Sequence, residues 1–408
     1  MATFYFYRGQ APAKPLGTAL ELGADVITGA KSLEDLFGAG TSLEVDLLNI
    51  AAAVFAVDRC QLRGEREDYS RVLELHIPII NIGHLQPFIP EIQNVLRELS
   101  NDWWSLNFYQ VAGKTCDFRA AVPGAGKVLL FSGGLDSLAA AVELSNDSEN
   151  LALVSHVTKN RQTSAAQTTL FEKLVKSGRN LSRYSYFVSS RDKGEVQHDI
   201  ESSQRTRSFL FLVLAAITAV RLDRREIVMI AENGQMAIHL PLSSARVGAF
   251  STHTAHPDVV AKMRVFLSAA FKQDFKIENP YVLKTKREVI KPIIDKFPEI
   301  IADSTSCWKS ARILGTASHC GECIPCYIRR IAIESYQKDP TAYARDVFSL
   351  SFRALAPEDE GRRNLAELAE FTLNFEAKTD QDICDEWPEL YSSNIDAPAV
   401  ITDPALND

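Results

Sequence analysis

The sequence contains no apolar run as long as the roughly 20 residues that a helix needs to cross a bilayer, although 46% of its 408 residues are hydrophobic. Its first residues also lack the basic, apolar and small-residue order of a signal peptide. These absences predict a cytoplasmic globular protein that has no membrane-spanning helix and no secretory leader.

Positive charge is in deficit. The chain has 44 Lys and Arg against 52 Asp and Glu, which gives a formal net charge of −8. Proteins that adhere broadly to nucleic acid or to anionic membranes carry the opposite balance. Direct binding to nucleic acid or to a membrane is therefore disfavoured, and any polyanion has to be bound at a local site.

Cysteine is scarce outside one short stretch. Four of the seven cysteines lie between positions 307 and 326, whereas Cys60, Cys116 and Cys384 stand alone. An odd count with one tight cluster argues against a disulfide framework and favours metal binding in a reducing compartment.

A turn rich in glycine and serine lies between an apolar run at 127–131 and a helical segment that continues to Leu144. Its two glycines let the backbone approach a ligand, its successive N–H groups can form an anion-binding concavity, and the next helix offers its positive end. The turn is therefore suited to pyrophosphate. Its six residues are predicted to bind a nucleotide: Ser132, Gly133, Gly134, Leu135, Asp136 and Ser137.

Two members of this turn have predicted catalytic roles. The hydroxyl of Ser137 is a hydrogen-bond donor, and the carboxylate of Asp136 is a suitable ligand for the Mg²⁺ that accompanies nucleotide phosphates. No Gly-Lys-Ser/Thr follows at the Walker spacing, so the turn is not a Walker loop.

Strand-like and helix-like segments alternate after this turn. Further apolar runs at 150–157, 183–189 and 226–231 predict strands, and helices are predicted between them. The alternation predicts an α/β fold with a parallel sheet. Ligands of such a sheet lie beyond the carboxyl ends of its strands, so His156 to Arg161 should face the nucleotide, with Lys159 as a candidate catalytic residue.

Two polar features follow in this region. Arg205 and Arg207 precede a long apolar helix, and a guanidinium there would suit a phosphate or a carboxylate because it binds two oxygens at once. The polar connection 235–257 is long for a compact domain, and we interpret it as a substrate lid.

The first 125 residues carry no catalytic constellation. A helix is predicted from Ser42, a strand over 72–80, a helix over 90–100 and a strand over 103–109. A segment of this length can form its own core. We interpret it as an α+β accessory domain for recognition of a substrate or partner, in which Trp103 and Trp104 are core residues.

The cysteine cluster has the spacing C-x12-C-x2-C-x2-C. Four thiolates at this spacing can close a tetrahedron around Zn²⁺ and leave no open position, which is typical of structural zinc. An iron–sulfur cluster is the competing interpretation. The predicted ligands are Cys307, Cys320, Cys323 and Cys326.

The predicted organisation has four parts. They are an accessory domain at 1–125, a catalytic domain at 126–300, a zinc-binding element at 301–340 and a helical acidic tail at 341–408. Within the tail, the segment 364–375 has the pattern of an amphipathic helix.

The serine and glycine turn resembles the signature of the PP-loop ATP pyrophosphatases, whose domain is Rossmann-like and of the adenine nucleotide alpha hydrolase type. Together with Ser306-Cys307-Trp308 and the segment His319 to Arg329, it is similar to the QueC family, the 7-cyano-7-deazaguanine synthases. The likeness covers about residues 126 to 335.

This resemblance implies an activity and a set of site residues. In the family, ATP adenylates 7-carboxy-7-deazaguanine, and ammonia converts the activated carboxyl through an amide to the nitrile. The likeness implies that the phosphate turn binds ATP and Mg²⁺ and that the four cysteines hold zinc. It also implies that Arg207 matches an arginine at the start of the family's long apolar helix and is therefore a catalytic residue.

The chain departs from the nitrile synthases in several places. Ser155 to Asn160 replaces a Tyr-Gly-Gln element, and neither 242–248 nor 251–257 carries the Tyr-Pro-Asp-Cys-Arg element of those enzymes. The first 125 residues and the acidic tail have no counterpart in the short enzymes. This layout is similar to QueC-like members of bacterial anti-phage operons, with QatC the closest, and it implies a protein partner from the same operon whose amine replaces ammonia.

Three alternatives stay open at this point. The chain could be a housekeeping 7-cyano-7-deazaguanine synthase of queuosine biosynthesis, or a nucleotide-binding scaffold of a defence complex. The third alternative, tRNA thiolation, is weakened by the negative net charge.

Overall fold

The computed structural model describes residues 1–15, 17–63, 70–115, 126–145, 149–157, 160–190, 201, 203–228, 233–234, 237, 255–313 and 315–386. Lys159 and almost all of the predicted lid at 235–257 lie outside these residues. So do Cys116 and the linker before Gly126. Across the described ranges, no helix combines the length and the apolar character needed to cross a membrane.

The N-terminal region forms a four-stranded sheet with helices. Its elements in chain order are β1 (Ala2–Tyr7), β2 (Thr18–Glu21), β3 (Val26–Ile27), α1 (Ala30–Phe37), α2 (Ser42–Cys60), β4 (Val72–Ile79), α3 (Ile82–Leu85), α4 (Ile89–Ser100) and β5 (Trp103–Gln110). The sheet order is β2-β1-β4-β5, and each pair of neighbours is parallel. Pro78 is the penultimate residue of β4, which fits the predicted strand end.

The rest of the described chain contains a second sheet and the cysteine element. Its elements are β6 (Lys127–Leu130), α5 (Leu135–Leu144), β7 (Leu151–Val157), α6 (Arg161–Lys176), β8 (Leu181–Phe187), β9 (Ser189–Ser190), α7 (Arg207–Arg221), β10 (Glu226–Val228), α8 (Pro257–Phe271), β11 (Lys276–Glu278), α9 (Lys286–Lys296), α10 (Ile324–Glu334), α11 (Glu360–Glu376) and α12 (Asp380–Glu386).

The second sheet has the order β11-β10-β6-β7-β8 and is parallel throughout. The predicted α/β fold with crossover helices is therefore confirmed. The phosphate turn follows β6, the central strand, so it lies at the carboxyl edge of the sheet, where ligands of such sheets bind.

Helix α2 lies between the two sheets and contacts both β4 and α7. Almost all of its residues are buried, including the polar side chains of Glu44, Asp46, Asn49 and Asp58. Its ends are tied to α7. Glu44 near the start of α2 accepts a 2.7 Å hydrogen bond from Nε of Arg221, and Asp58 near its end accepts a 2.9 Å bond from the Thr206 amide. The two helices therefore run antiparallel.

The N-terminal region does not have a separate hydrophobic core. One cluster of buried side chains includes Phe4 and Leu75 from the first sheet, Phe55 from α2, and Val128 and Ile217 from the catalytic region. In addition, β3 pairs antiparallel with β9 across the two regions. Residues 1–115 therefore pack on the catalytic region as one layer of a common core.

A buried ion-pair network lies within the N-terminal region, beside this junction. Arg71 bonds to Asp58 and to Asp102, with a distance of 2.6 Å from its Nη2 to Oδ2 of Asp102. Arg63 forms a two-fold 2.7 Å contact with Asp102. Burial raises the pKa of Asp102, but the hydrogen bonds from Arg71 and Arg63 outweigh it and hold that pKa below its ordinary value.

The two tryptophans differ from each other. Trp104 is buried, and its indole N–H donates to Ser100 Oγ at 2.9 Å. Trp103 is 53% exposed, and the guanidinium of Arg97 lies 3.7 Å from its ring centroid. The core interpretation is confirmed for Trp104 and wrong for Trp103, because successive strand residues point to opposite faces of the sheet.

Candidate active site

The phosphate turn is held by close backbone contacts that require glycine. Gly133 has a φ of 83°, and a Cβ at this position would lie 3.2 Å from the backbone nitrogen of Gln167. A Cβ on Gly134 would lie 3.3 Å from the carbonyl oxygen of Thr305. The turn is thus packed on its outer side by α6 and by the segment before the cysteines, and it keeps a fixed shape.

Hydroxyl groups line the inner part of this turn. Ser132 Oγ lies 3.1 Å from Ser137 Oγ and accepts a 3.3 Å bond from the Gly134 amide. Gly134 is the N-cap of α5, and no side chain caps that helix. The positive end of α5 is therefore available to an anion in the turn.

Asp136 forms an ion pair that the sequence did not predict. Its Oδ1 lies 2.7 Å from Nζ of Lys286, and the two side chains are only 13% and 15% exposed. Lys286 begins α9, which starts with a capping box between Thr285 and Glu288. The structure places Lys286 at the turn and Lys284, two residues earlier, beside Glu143.

Arg207 and Arg205 lie at the start of α7 in different surroundings. Arg205 is buried beside the ion-pair network and donates to the Ser100 carbonyl at 3.1 Å. The guanidinium of Arg207 stacks on Phe211, 5.0 Å from the ring centroid. Burial, followed by the charge of Arg59, lowers the pKa of Arg207 to about 10. Of the pair, Arg205 belongs to the junction with the N-terminal region.

Residues 156–161 differ from the expectation that all of them face the nucleotide. His156 is fully buried, with Nε2 2.9 Å from the Val188 carbonyl and its ring against Phe55. Asn160 caps α6 and donates to Ser310 Oγ at 3.0 Å. His156 lies in an apolar strand that is buried on both faces, and such a strand has no face that a ligand could contact.

The four cysteines converge as predicted. Their sulfur atoms all lie within 4.8 Å of one another, and each residue is at most 7% exposed. Cys323 is the N-cap of α10 and Cys326 lies in its first turn, so the helix dipole favours thiolates there. The pKa of the Cys320 thiol is lowered by hydrogen bonds from the other three thiols, that of Cys307 first.

The turn that carries these cysteines depends on Gly321. Its φ is 79°, and a Cβ would lie 1.8 Å from the Arg345 carbonyl oxygen. The segment from His319 to Cys320 lies against the segment that contains Arg345, since the Ala344 amide donates to the His319 carbonyl at 2.7 Å. Only glycine allows such a close approach.

The donor set fits a single metal ion. Four buried thiols at these separations match all-sulfur coordination of Zn²⁺ and leave no position for a substrate, whereas a cluster of several irons would need more widely spaced sulfurs. When bound, zinc would supply a structural cross-link between Cys307 and α10.

The cysteine element is connected to the phosphate turn through one short segment. Arg329 of α10 is fully buried and donates to Ser304 Oγ at 2.8 Å and to the Ile301 carbonyl at 2.7 Å. Thr305, which follows Ser304, donates its amide hydrogen to the Gly133 carbonyl at 2.9 Å. Loss of the metal would therefore disturb the nucleotide site as well as the local fold.

Comparison with known proteins identifies one family. The model of the family described as queuosine biosynthesis protein QueC matches residues 126–337, just over half of the chain. The matched segment contains the phosphate turn, Arg207, Lys286 and the four cysteines. No curated protein matches the chain.

Proposed function

The chain belongs to the QueC family, and from that membership we propose that it adenylates a 7-carboxy-7-deazaguanine-type carboxylate and transfers the acyl group to a nitrogen nucleophile. ATP-dependent chemistry of the deazaguanine type follows from the family itself. The activated substrate, the acceptor and the role in anti-phage defence are our proposal.

The phosphate turn is the observation that carries this function. It combines two glycines in close backbone contact, an uncapped helix end and an Asp–Lys pair at 2.7 Å. In our proposal the amides and hydroxyls of residues 132–137 bind the β- and γ-phosphates of ATP. Asp136 holds Mg²⁺, and Lys286 neutralises the departing pyrophosphate.

The proposed reaction has two steps. A carboxylate oxygen of the deazaguanine attacks the α-phosphorus of ATP, and the bond to pyrophosphate breaks. The nitrogen nucleophile then attacks the acyl carbon, and AMP leaves with the electron pair of the C–O bond. The protein contributes positioning and charge stabilisation, which is what such displacements require.

The N-terminal region supports an acceptor other than ammonia. Residues 1–125 lie outside the matched family segment, yet residues 1–115 share a core with it and contact the start of α7 through Asp58 and Thr206. We propose that this region presents an amine of a partner protein, as the resemblance to anti-phage QueC-like proteins implies. The family's association with queuosine biosynthesis favours the second candidate, a nitrile synthase of that pathway.

The test is pyrophosphate release from Mg-ATP, measured with and without 7-carboxy-7-deazaguanine and followed by mass spectrometry of the products. Release that depends on the deazaguanine and stops at the adenylate or amide supports a protein acceptor. A cyano product after addition of ammonia supports the nitrile synthase. Release independent of the deazaguanine would contradict the proposed substrate.

A further inference from the structure

Two arginines from different regions converge beside the catalytic sheet. Arg59 comes from the last turn of α2 and lies over Phe55, 5.9 Å from its centroid, while Arg207 comes from the first turn of α7 and lies over Phe211. The His156 ring, at the carboxyl end of β7, contacts both phenylalanines, with centroids 5.3 Å and 5.7 Å away. These five side chains, which we call the junction cluster, bring two positive charges to one place.

The charges of the junction cluster are not compensated within the described part of the chain. Nε of Arg59, Nε of Arg207 and Nδ1 of His156 are each buried and have no hydrogen-bond partner, and no described carboxylate pairs with either guanidinium. Burial of polar atoms without partners is costly, and two like charges held close together repel each other. An anion bound between the two guanidiniums would supply hydrogen-bond partners and relieve the repulsion.

The surrounding backbone favours the same ligand. Helix α7 is 15 residues long, its N-cap Thr206 makes no capping bond, and the buried hydroxyl of Ser208 in its first turn has no partner. The helix dipole adds positive potential at this end. Gln204 enters the turn at a φ of 47°, a strained value for a residue other than glycine, and such strain is concentrated at functional sites.

The positions of the two arginines are fixed independently of any ligand. Asp58, next to Arg59, accepts bonds from the amide and the hydroxyl of Thr206, next to Arg207, at 2.9 Å and 3.1 Å. Glu201 donates its amide to the Arg59 carbonyl at 3.0 Å. The backbone positions of the two arginines are therefore fixed at the junction between α2 and α7, which is the pre-organisation that an anion site needs.

We propose that Arg59 and Arg207 together bind one oxyanion at the amino end of α7, so that the N-terminal region contributes a ligand-binding residue to the active site. This inference rests on the proposed function for the identity of the anion, which is the deazaguanine carboxylate or a phosphate of ATP. The carboxylate is planar and the phosphate is tetrahedral, and guanidinium groups bind the oxygens of both strongly. The site also lies next to the phosphate turn, because Gln167 Nε2 reaches both the Ser132 carbonyl at 3.3 Å and the His156 carbonyl at 3.5 Å.

The experiment measures ligand binding rather than turnover. The full-length protein and its variants Arg59→Gln and Arg207→Gln are titrated calorimetrically with 7-carboxy-7-deazaguanine and, separately, with Mg²⁺ and the non-cleavable α,β-methylene analogue of ATP. Arg97→Gln is the matched control, since it removes an exposed guanidinium that also stacks on an aromatic ring. The melting temperatures of the same proteins are also measured with and without inorganic pyrophosphate, at constant ionic strength.

We expect Arg59→Gln to weaken one of the two ligands by about tenfold or more, because a charged hydrogen bond is lost, and the affected ligand identifies the anion. We expect the melting temperature without ligand to stay level or rise in this variant, since repulsion between two neighbouring cations is relieved. Unchanged affinity for both ligands, or a lower melting temperature with no ligand effect, would overturn the inference.

The outcome for the wild-type protein separates this inference from the proposed function. If the protein does not bind the deazaguanine, the proposed substrate is wrong. Stabilisation by pyrophosphate that is lost in Arg59→Gln and kept in Arg97→Gln would then still support the oxyanion site. Equal stabilisation of all variants would contradict it.

Discussion

At the scale of single residues, the phosphate turn places two opposite charges side by side. The Asp136 carboxylate and the Lys286 ammonium are 2.7 Å apart and largely buried. A pair in such surroundings pays a desolvation cost that its mutual attraction recovers only in part. Both groups are therefore suited to bind Mg-ATP. The carboxylate can bind the divalent cation, and the ammonium can bind phosphate oxygens.

Substitution of either charge should stop the chemistry without unfolding the protein. We expect Asp136→Asn and Lys286→Met each to reduce deazaguanine-dependent pyrophosphate release by about 100-fold or more, because preorganised charge is the main source of catalysis here. Lys284→Met is the matched control, as Lys284 lies two residues away and contacts Glu143 instead. Equal rates in Lys286→Met and Lys284→Met would refute the role of Lys286.

His156 predicts how stability depends on pH. Burial, followed by the charge of Arg207, lowers its pKa from 6.5 to about 3. Below about pH 6.5 this side chain is therefore protonated in the unfolded chain but stays neutral in the folded protein. The free energy of unfolding should fall as the pH decreases from there towards 3, by up to about 1.4 kcal/mol per pH unit.

The measurement is the free energy of unfolding between pH 4.5 and 7.5 for the wild-type protein and for His156→Phe. We expect the variant to show a smaller loss of stability at low pH, whatever its stability at neutral pH. Parallel curves for the two proteins would show that His156 does not contribute to this dependence.

The residues of the site differ in how visible they were in the sequence. Residues 132–137 and the four cysteines were predicted because their spacing alone describes the chemistry. Lys286 and Arg59 were not predicted, because charged residues of this kind are common on the exposed faces of helices. Their places in the site depend on Asp136 and Arg207, each more than 140 residues away in the sequence. Lys159 remains a prediction.

At the scale of elements, the cysteine turn and the phosphate turn form one connected unit. Arg329 anchors the segment 301–306 to α10, and Thr305 in that segment donates to Gly133. Metal binding can therefore stabilise the nucleotide site at a distance, because ligands that bind only the folded state add to its stability.

Two glycines of this unit provide a matched pair of substitutions. Gly315 and Gly321 both have positive φ, 85° and 79°, but only a Cβ on Gly321 would strike a backbone atom, at 1.8 Å. We expect Gly315→Ala to cost about 1 kcal/mol, from backbone strain alone. We expect Gly321→Ala to cost more than about 3 kcal/mol and to release the metal.

Elemental analysis and denaturant titration check this pair. The wild-type protein and Gly315→Ala should each contain about one Zn per chain, as a closed four-thiolate site binds one ion, and Gly321→Ala should contain much less. An iron-containing wild-type preparation, or full zinc occupancy in Gly321→Ala, would contradict the account of this element.

The elements that sequence patterns predicted are those with strong periodicity. Helix α2 and strands β4 to β8 fall where the patterns placed them. Strands β2 and β11 were missed because they have only four and three residues and become strands by pairing with neighbours. Strand β1 was also missed, although its six residues are uninterrupted and rich in aromatic side chains. Helix α8 was also missed.

At the scale of the whole molecule, the N-terminal and catalytic regions are held together by a common core and by the hydrogen bonds from Thr206 to Asp58. Separate sheets were predictable from the sequence, but the shared core was not. An apolar helix such as α2 does not reveal whether its two faces meet one sheet or two.

This shared core predicts that the family-matched part of the chain does not fold alone. A fragment of residues 126–386 would expose the face of α7 that packs on α2, including Phe211 and Leu214. We expect it to be insoluble or to melt well below the full chain, and co-expression of residues 1–125 to rescue it. A fragment that melts cooperatively at the temperature of the full chain would show that the first 125 residues are an independent domain.

The most direct test of the central claim is exchange of labelled pyrophosphate into ATP, with no nitrogen nucleophile present. Reversible adenylation of a carboxylate is the only step in the proposed reaction that such exchange reports. We predict exchange that requires both 7-carboxy-7-deazaguanine and Asp136 and is absent with guanine alone. Exchange without the deazaguanine, or no exchange with it in protein that binds both ligands, would contradict adenylation of this carboxylate.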